Sequence, residues 1–229
     1  DFWEEPLPEK NWKFYEPENA VQVRFAEIRS LCVDVLQERS MRLPQRLLLL
    51  GFLLQKLTNL DWEAGSGVDA WLSQGEAALH DTALAEELKK LPGNRQMFLS
   101  QNNDVMFSIM SGITGERKEV ARQLWSAVMT LQRAGTEKMF LYDLYRYQEL
   151  EEKLKCLPGL EEYFFENLMV MVAFYSMFPS LNSPDELWKS YVNLCSMYSL
   201  YRYAAVCGCA AEVSRERLFR VLVSVSRDV

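Results

Sequence analysis

The residues that could do chemistry are few and scattered. Five cysteines (Cys32, Cys156, Cys195, Cys207 and Cys209) and a lone histidine, His80, are the only soft or near-neutral titrating groups in 229 residues. Cys207-Gly208-Cys209 is a bare C-x-C, with Cys195 three turns upstream and His80 remote in sequence. Zinc takes four Cys, His or carboxylate ligands, usually in C-x₂₋₄-C pairs, and that spacing is missing. The expectation is therefore small buried thiols near a helix end, with no metal ligands. His80 needs a nucleophile or an orienting acid to act as a general base. Its neighbour Asp81 points elsewhere if both lie on one helix. A surface position is expected for it.

Two Tyr/Arg clusters offer a binding chemistry instead: Tyr142, Tyr145, Arg146 and Tyr147, and then Tyr198, Tyr201, Arg202 and Tyr203. Arginine stacks on tyrosine rings and grips carboxylate or peptide groups. Tyr145, Arg146, Tyr198, Tyr201 and Arg202 are accordingly the candidate partner-binding residues, against the plainer reading of half-buried packing with hydroxyls at the rim. Nucleotide cofactors find no motif. No G-x-G-x-x-G follows a strand pattern and no G-x-x-x-x-G-K-[ST] occurs, so no Rossmann-type site can be drawn from this chain.

The elements that must position these groups read as helices. Strand alternation bounded by hairpin turn pairs is nearly absent, and no 34- or 40-residue repeat is found; LYRY at 144–147 and 200–203 lacks matching flanks. The expected fold is all-α, about nine helices in an irregular orthogonal/up-down bundle. Residues 1–18 form an extended lead-in with aromatic anchors, and 19–229 a single domain, with subdivision conceivable near 60–68 or 156–160. Asn19 and Gln22 suggest a capping box. Val21, Phe25, Ile28, Cys32 and Val35 then share about 80° of arc opposite Glu27, Asp34 and Glu38. Pro44 opens an apolar, centrally placed helix to about Thr58, and DWEAGSGV (61–68) is a loop. Helical patterns follow at about 69–91, 95–111, 116–134, 137–156 and 160–178. Ser183, Pro184 and Glu186 sit as N-cap, N1 and N3 of a helix whose seam runs Leu187, Tyr191, Leu194, Tyr198, Tyr201 and Ala205. Gly208 is expected to close it in a left-handed conformation, and Ser214 to cap a last helix facing inward through Leu218, Val221, Leu222 and Val225.

Totals exclude other classes. Net charge is −7 (25 basic, 32 acidic), which argues against a nucleic-acid footprint. The apolar runs 47–54 and 168–175 fall well short of the ~20 residues a membrane span requires. An odd number of cysteines in apolar patterns and no secretory signal point to reduced thiols and a soluble, cytoplasmic protein.

One tract carries a resemblance. ENLMVMVAFYSMFPSLNSPDELWKSY, Glu166–Tyr191, joins an apolar helix ending at Phe178-Pro179 to a serine-capped amphipathic helix, and VRFAEIRSLCVDVLQERSMRLPQRLLLLGFLLQKL, Val23–Leu57, forms a helical pair. Both resemble the C-terminal region of the flagellin lysine-N-methylase family, over roughly residue 19 to the end. The resemblance implies a bacterial enzyme that methylates flagellin lysines with S-adenosylmethionine and an iron–sulfur cluster held by an N-terminal cysteine run. That run is not among these five cysteines, so no catalytic or cofactor residue is carried over and no cofactor is expected on this chain itself. The chain opens at Asp1 without methionine, and the cluster-binding module is expected upstream. On this reading the helices are a scaffold for the acceptor protein, inactive alone. The alternative is a non-catalytic interaction or small-ligand-sensing domain. A closed apolar cavity lined by Met169, Met171, Phe174 and Tyr198, or a homodimer on the Leu187–Ala205 seam, would favour it.

Overall fold

The computed structural model describes residues 17–91, 145, 147–154, 162–208 and 214–226. Among them every regular element is helical: α1 (Ala20–Val23), α2 (Phe25–Gln37), α3 (Leu43–Thr58), α4 (Val68–Leu79), α5 (Thr82–Lys90), a helical segment at 147–154, α6 (Glu162–Tyr175), α7 (Pro184–Gly208) and α8 (Arg215–Ser226). The all-α expectation holds, with nine helical pieces among the described residues. The lead-in 1–16, the helices expected within 92–144, and Arg146, Cys156 and Cys209 lie outside them.

The first expected helix is broken. Asn19 does cap α1, accepting from the Gln22 amide at 2.9 Å, but the Gln22 side chain takes the Glu18 amide and not that of Asn19. At Arg24 the backbone N–H steps back three residues to Val21, while the side chain is held by Glu27 and by Asp69 of α4. Helix α2 restarts there and buries Ile28, Cys32 and Val35 on the expected face. The pattern at 69–91 also divides: the Asp81 carboxylate caps Ala83 and Leu84 (2.9 and 3.0 Å), satisfying orphan amides of a new helix, α5. In the 61–67 loop, Asp61 accepts from Glu63 and Ala64, and Gly65 and Gly67 take φ of +63° and +92°.

Helix α3 is central, packing on α2, α4, α5, α6 and α7. Its crossing with α7 is close because Gly51 presents no side chain: a Cβ there would sit 2.3 Å from the Tyr191 hydroxyl, which donates to the Leu47 carbonyl at 3.0 Å. Among the described residues two apolar clusters make the core. One gathers α1–α5 with faces of α6 and the first half of α7; the other gathers 147–154, the second half of α7 and α8. Phe165, Val172 and Met197 pack against both. At the end of α7, Gly208 is not left-handed as expected. It is the last helical residue, and its missing side chain admits Val221 of α8, whose methyls would lie 2.5 Å from a Cβ. Close approach, and not backbone freedom, is what glycine supplies there. Ser183 and Ser214 cap α7 and α8 as expected, accepting from Glu186 (3.2 Å) and Arg217 (3.3 Å). The Glu186 carboxylate binds Lys189 and does not close a box.

Helix α6 ends in a Schellman arrangement. The Phe178 amide reaches Ala173 O at 2.9 Å and the Met177 amide reaches Phe174 O at 3.3 Å, with Met177 at φ +53°. A methionine carries a steric penalty in that conformation that glycine does not. Met177→Gly is expected to raise the unfolding free energy by about 0.5–1 kcal/mol, read as a higher urea midpoint at constant slope. A lower midpoint would show that the Met177 side chain, 61 % exposed, contributes more than its backbone costs.

Candidate functional site

Of the first Tyr/Arg cluster, Tyr147 meets the second, where segment 147–154 lies on the second half of α7. Tyr147 and Tyr203 stack with centroids 5.9 Å apart and planes 10° from parallel. Arg202 donates through Nε to Glu151 at 2.9 Å, through Nη2 to the same carboxylate, and through Nη1 to the Tyr198 hydroxyl at 3.0 Å. Burial works against the Arg202 charge, but Tyr198, Glu151 and Tyr147 outweigh it and raise its pKa. Burial pushes the Tyr147 and Tyr201 hydroxyls upward, so both stay neutral. Of the candidate binding residues, Tyr201 is buried, Tyr198 and Arg202 are half-buried in this brace, and Tyr145 is exposed. Arg146 lies outside the described residues. The guanidinium is thus spent within the fold, tying 147–154 to α7.

The seam of α7 is likewise used internally. Leu187 and Leu194 enter the first core cluster, and Tyr201 and Ala205 the second. A homodimer would need another surface. Nor do Met169, Met171, Phe174 and Tyr198 enclose one cavity: Met169 is fully buried, whereas Met171 and Phe174 are 47 % and 54 % exposed on the other side of α6.

A polar trough that sequence reasoning did not single out runs between α2 and α4, lined by Asp34, Gln37 and Glu38 on one wall and Ser73, Glu76 and His80 on the other. The helices meet tightly beneath it because Gly75 faces Leu31, whose methyl would be 2.4 Å from a Cβ. Within the trough Glu38 is held below the usual carboxylate range, first by the Ser40 amide and hydroxyl and then by the nearby charges of His80 and Arg46. None of its three carboxylates is engaged in an ion pair with a described residue. His80 ends α4 exposed, as expected, and Asp81 is spent on capping α5. The sequence signal was present in the i, i+4 pairs Asp34/Glu38 and Glu76/His80, each on the polar side of its helix.

The three described cysteines do not assemble. Cys32 lies in the first core cluster and Cys207 in the second, both fully buried, with burial raising the Cys32 thiol and pushing the Cys207 thiol up to about 12. Cys195 is raised by burial as well, partly offset by Tyr191. Cluster iron binds thiolates, which these environments disfavour. Among the described residues no three His, Cys, Asp or Glu groups converge to hold a metal, so Cys32, Cys195 and Cys207 do not together form a cluster site.

No described helix is long and apolar enough to cross a membrane. No curated protein and no solved structure matches the chain. Residues 29–229, which contain both the trough and the Tyr/Arg brace, match the family model described as the FliB lysine N-methylase C-terminal domain, and the chain belongs to that family.

Proposed function

We propose that these helices are the acceptor-side scaffold of an S-adenosylmethionine-dependent protein-lysine N-methyltransferase acting on flagellin, with the reactive centre held outside these residues. The observation that carries the reading is the family match over residues 29–229. The chemistry of the surface is consistent with it. An acceptor lysine arrives as a cation, and a net charge of −7 with an acidic trough that forms no ion pair with a described residue favours its encounter more than its final affinity. Before attack the amine must lose its proton, which requires a base or a dry pocket. The trough is open and most of its lining is exposed, so its part is to receive the lysine-bearing acceptor and not to deprotonate it. The cluster and methyl donor, when bound, supply the group-transfer chemistry; the scaffold holds the acceptor in register.

The test is steady-state methyl transfer to flagellin by the whole methylase. Replacing Glu38 and Glu76 together by lysine is expected to lower kcat/KM about five- to tenfold at low salt, chiefly through KM, and to flatten its salt dependence. An unchanged kcat/KM would remove the trough from the acceptor path. Methyl transfer by the 229-residue chain alone would overturn the division between scaffold and reactive centre.

A further inference from the structure

The chain is acidic overall, yet one of its pockets is lined by cations and neutral polar groups. It lies where the α2–α3 turn meets the end of α5, encloses about 460 Å³, and is lined by Ser40, Arg42, Gln45 and Lys89. No carboxylate lines it among the described residues. Arg42, the N-cap residue of α3, is exposed, and its guanidinium pairs with no carboxylate among the described residues. The Lys89 ammonium pairs with Glu86, but both side chains are about half exposed, so the pair is weak and an incoming anion competes for the lysine. Ser40 is already spent, because its amide (2.9 Å) and its hydroxyl both go to Glu38.

Two surface cations would carry little alone, since Lys89 also sits in the last turn of α5, where a helix favours positive charge. Gln45 is the independent observation. It is only 8 % exposed, and its Oε1 accepts the Arg42 amide at 2.8 Å. That bond fixes the side-chain amide, because turning it over would set Nε2 against the Arg42 N–H, donor against donor. Nε2 then donates to no described residue, although a buried amide ordinarily finds an acceptor. Nor is Nε2 among the side-chain atoms sealed from solvent, so it opens onto the pocket that Gln45 lines. The backbone of α3 is not part of the site: the Gln45 and Arg46 amides turn to the Arg42 carbonyl at 2.9 and 3.1 Å, and Pro44 has no N–H.

We propose that this pocket binds a phosphate group, with the Arg42 fork and the Lys89 ammonium on its charged oxygens and Gln45 Nε2 donating from the buried wall. Two cations match a dianion, and three donor groups match three phosphate oxygens, whereas a carboxylate offers one charge and two oxygens. The volume exceeds that of a bare ion and falls among small-molecule sites, which favours a phosphate ester as the occupant. The proposal rests on this pocket alone and is independent of the acceptor reading above.

Isothermal titration of the full chain with inorganic phosphate, methyl phosphate and acetate tests it, with chloride holding the ionic strength constant. Saturable phosphate binding is expected with a Kd of about 1 mM, and acetate should bind about tenfold more weakly. Gln45→Glu keeps an acceptor for the Arg42 amide, since glutamate serves at this helix position as glutamine does, but it turns the donor into an anion. It should abolish binding. Lys89→Ala, at an exposed position, should weaken binding about fivefold and keeps the test valid if Gln45→Glu disturbs α3. Tighter binding of methyl phosphate than of phosphate supports an ester as the ligand, and the reverse order supports the free ion; both sustain the site. No saturation up to about 20 mM phosphate would overturn the proposal. So would acetate binding as tightly as phosphate, or an affinity for phosphate that neither substitution changes.

Discussion

Replacing Glu166 by alanine is expected to lower the unfolding free energy by about 3–5 kcal/mol, because it strands a buried guanidinium. The Glu166 carboxylate is fully buried and accepts from Arg46 Nη1 at 2.7 Å and from Arg39 at 2.9–3.3 Å. Arg46 is itself almost wholly buried, and its Nε and Nη1 also donate to the Met41 and Leu36 carbonyls, at 2.7 Å each. The three side chains therefore clamp the α2–α3 turn to α6: the buried Arg46 and Glu166 charges offset each other, and the second guanidinium, of Arg39, faces solvent. Arg39 is 68 % exposed at its side chain, so its loss should cost far less than that of Arg46 or Glu166. Urea unfolding followed by circular dichroism measures the loss. A change below about 1 kcal/mol would mean that water or another group compensates Arg46. Replacing the buried pair together, Glu166→Leu with Arg46→Met, should recover most of the loss, since it leaves no buried unmatched charge and Arg39 stays solvated.

The same carboxylate sets an acid dependence. Burial pushes the Glu166 pKa up, but the hydrogen bonds from Arg39 and Arg46 outweigh it, and the folded value lies below the unfolded one. Its contribution is therefore complete above the unfolded value of about 4.3 and is lost as pH falls through the folded pKa. The stability gap between the parent chain and Glu166→Gln should be constant near neutrality and shrink below about pH 4. A gap that persisted to lower pH would show that the clamp acts by shape and not by charge.

Trp71→Ala is expected to cost a similar amount, about 3–5 kcal/mol, by leaving a large cavity between α3 and α4. The indole is 3 % exposed and its Nε1–H donates to the Leu53 carbonyl at 2.7 Å. Trp71→Phe keeps most of the volume and loses the hydrogen bond, so about 1–2 kcal/mol should go. If both variants unfold at the same urea concentration, the hydrogen bond and not the cavity carries the effect. Because α4 forms one wall of the acidic trough, the alanine variant links core packing to the surface that the methylase reading assigns to the acceptor.

What could be read along the chain is what depends on neighbours three or four positions away. The buried stripe from Val21 to Val35, the serine caps of α7 and α8, the glycine loop before α4 and the family's terminal helices all follow from local periodicity and capping. Local signals also err when two compete. An unbroken apolar pattern across 69–91 outweighed the Asp81 cap that divides α4 from α5, and Gly208 suggested a turn where close approach by Val221 was the need. What only the tertiary structure decided is which charges meet. Glu166 reads as the polar start of an apolar tract until Arg39 and Arg46, more than a hundred residues earlier, are brought to it. Arg202 reads as a grip for a ligand until Glu151 arrives to claim it, and Asp34 and Glu38 read as the polar side of one helix until α2 and α4 cross at Gly75 and bring Glu76 beside them. Hydrophobic periodicity is a property of one helix and survives in its sequence, whereas an ion pair or a trough belongs to two helices and exists only once packing has fixed their separation.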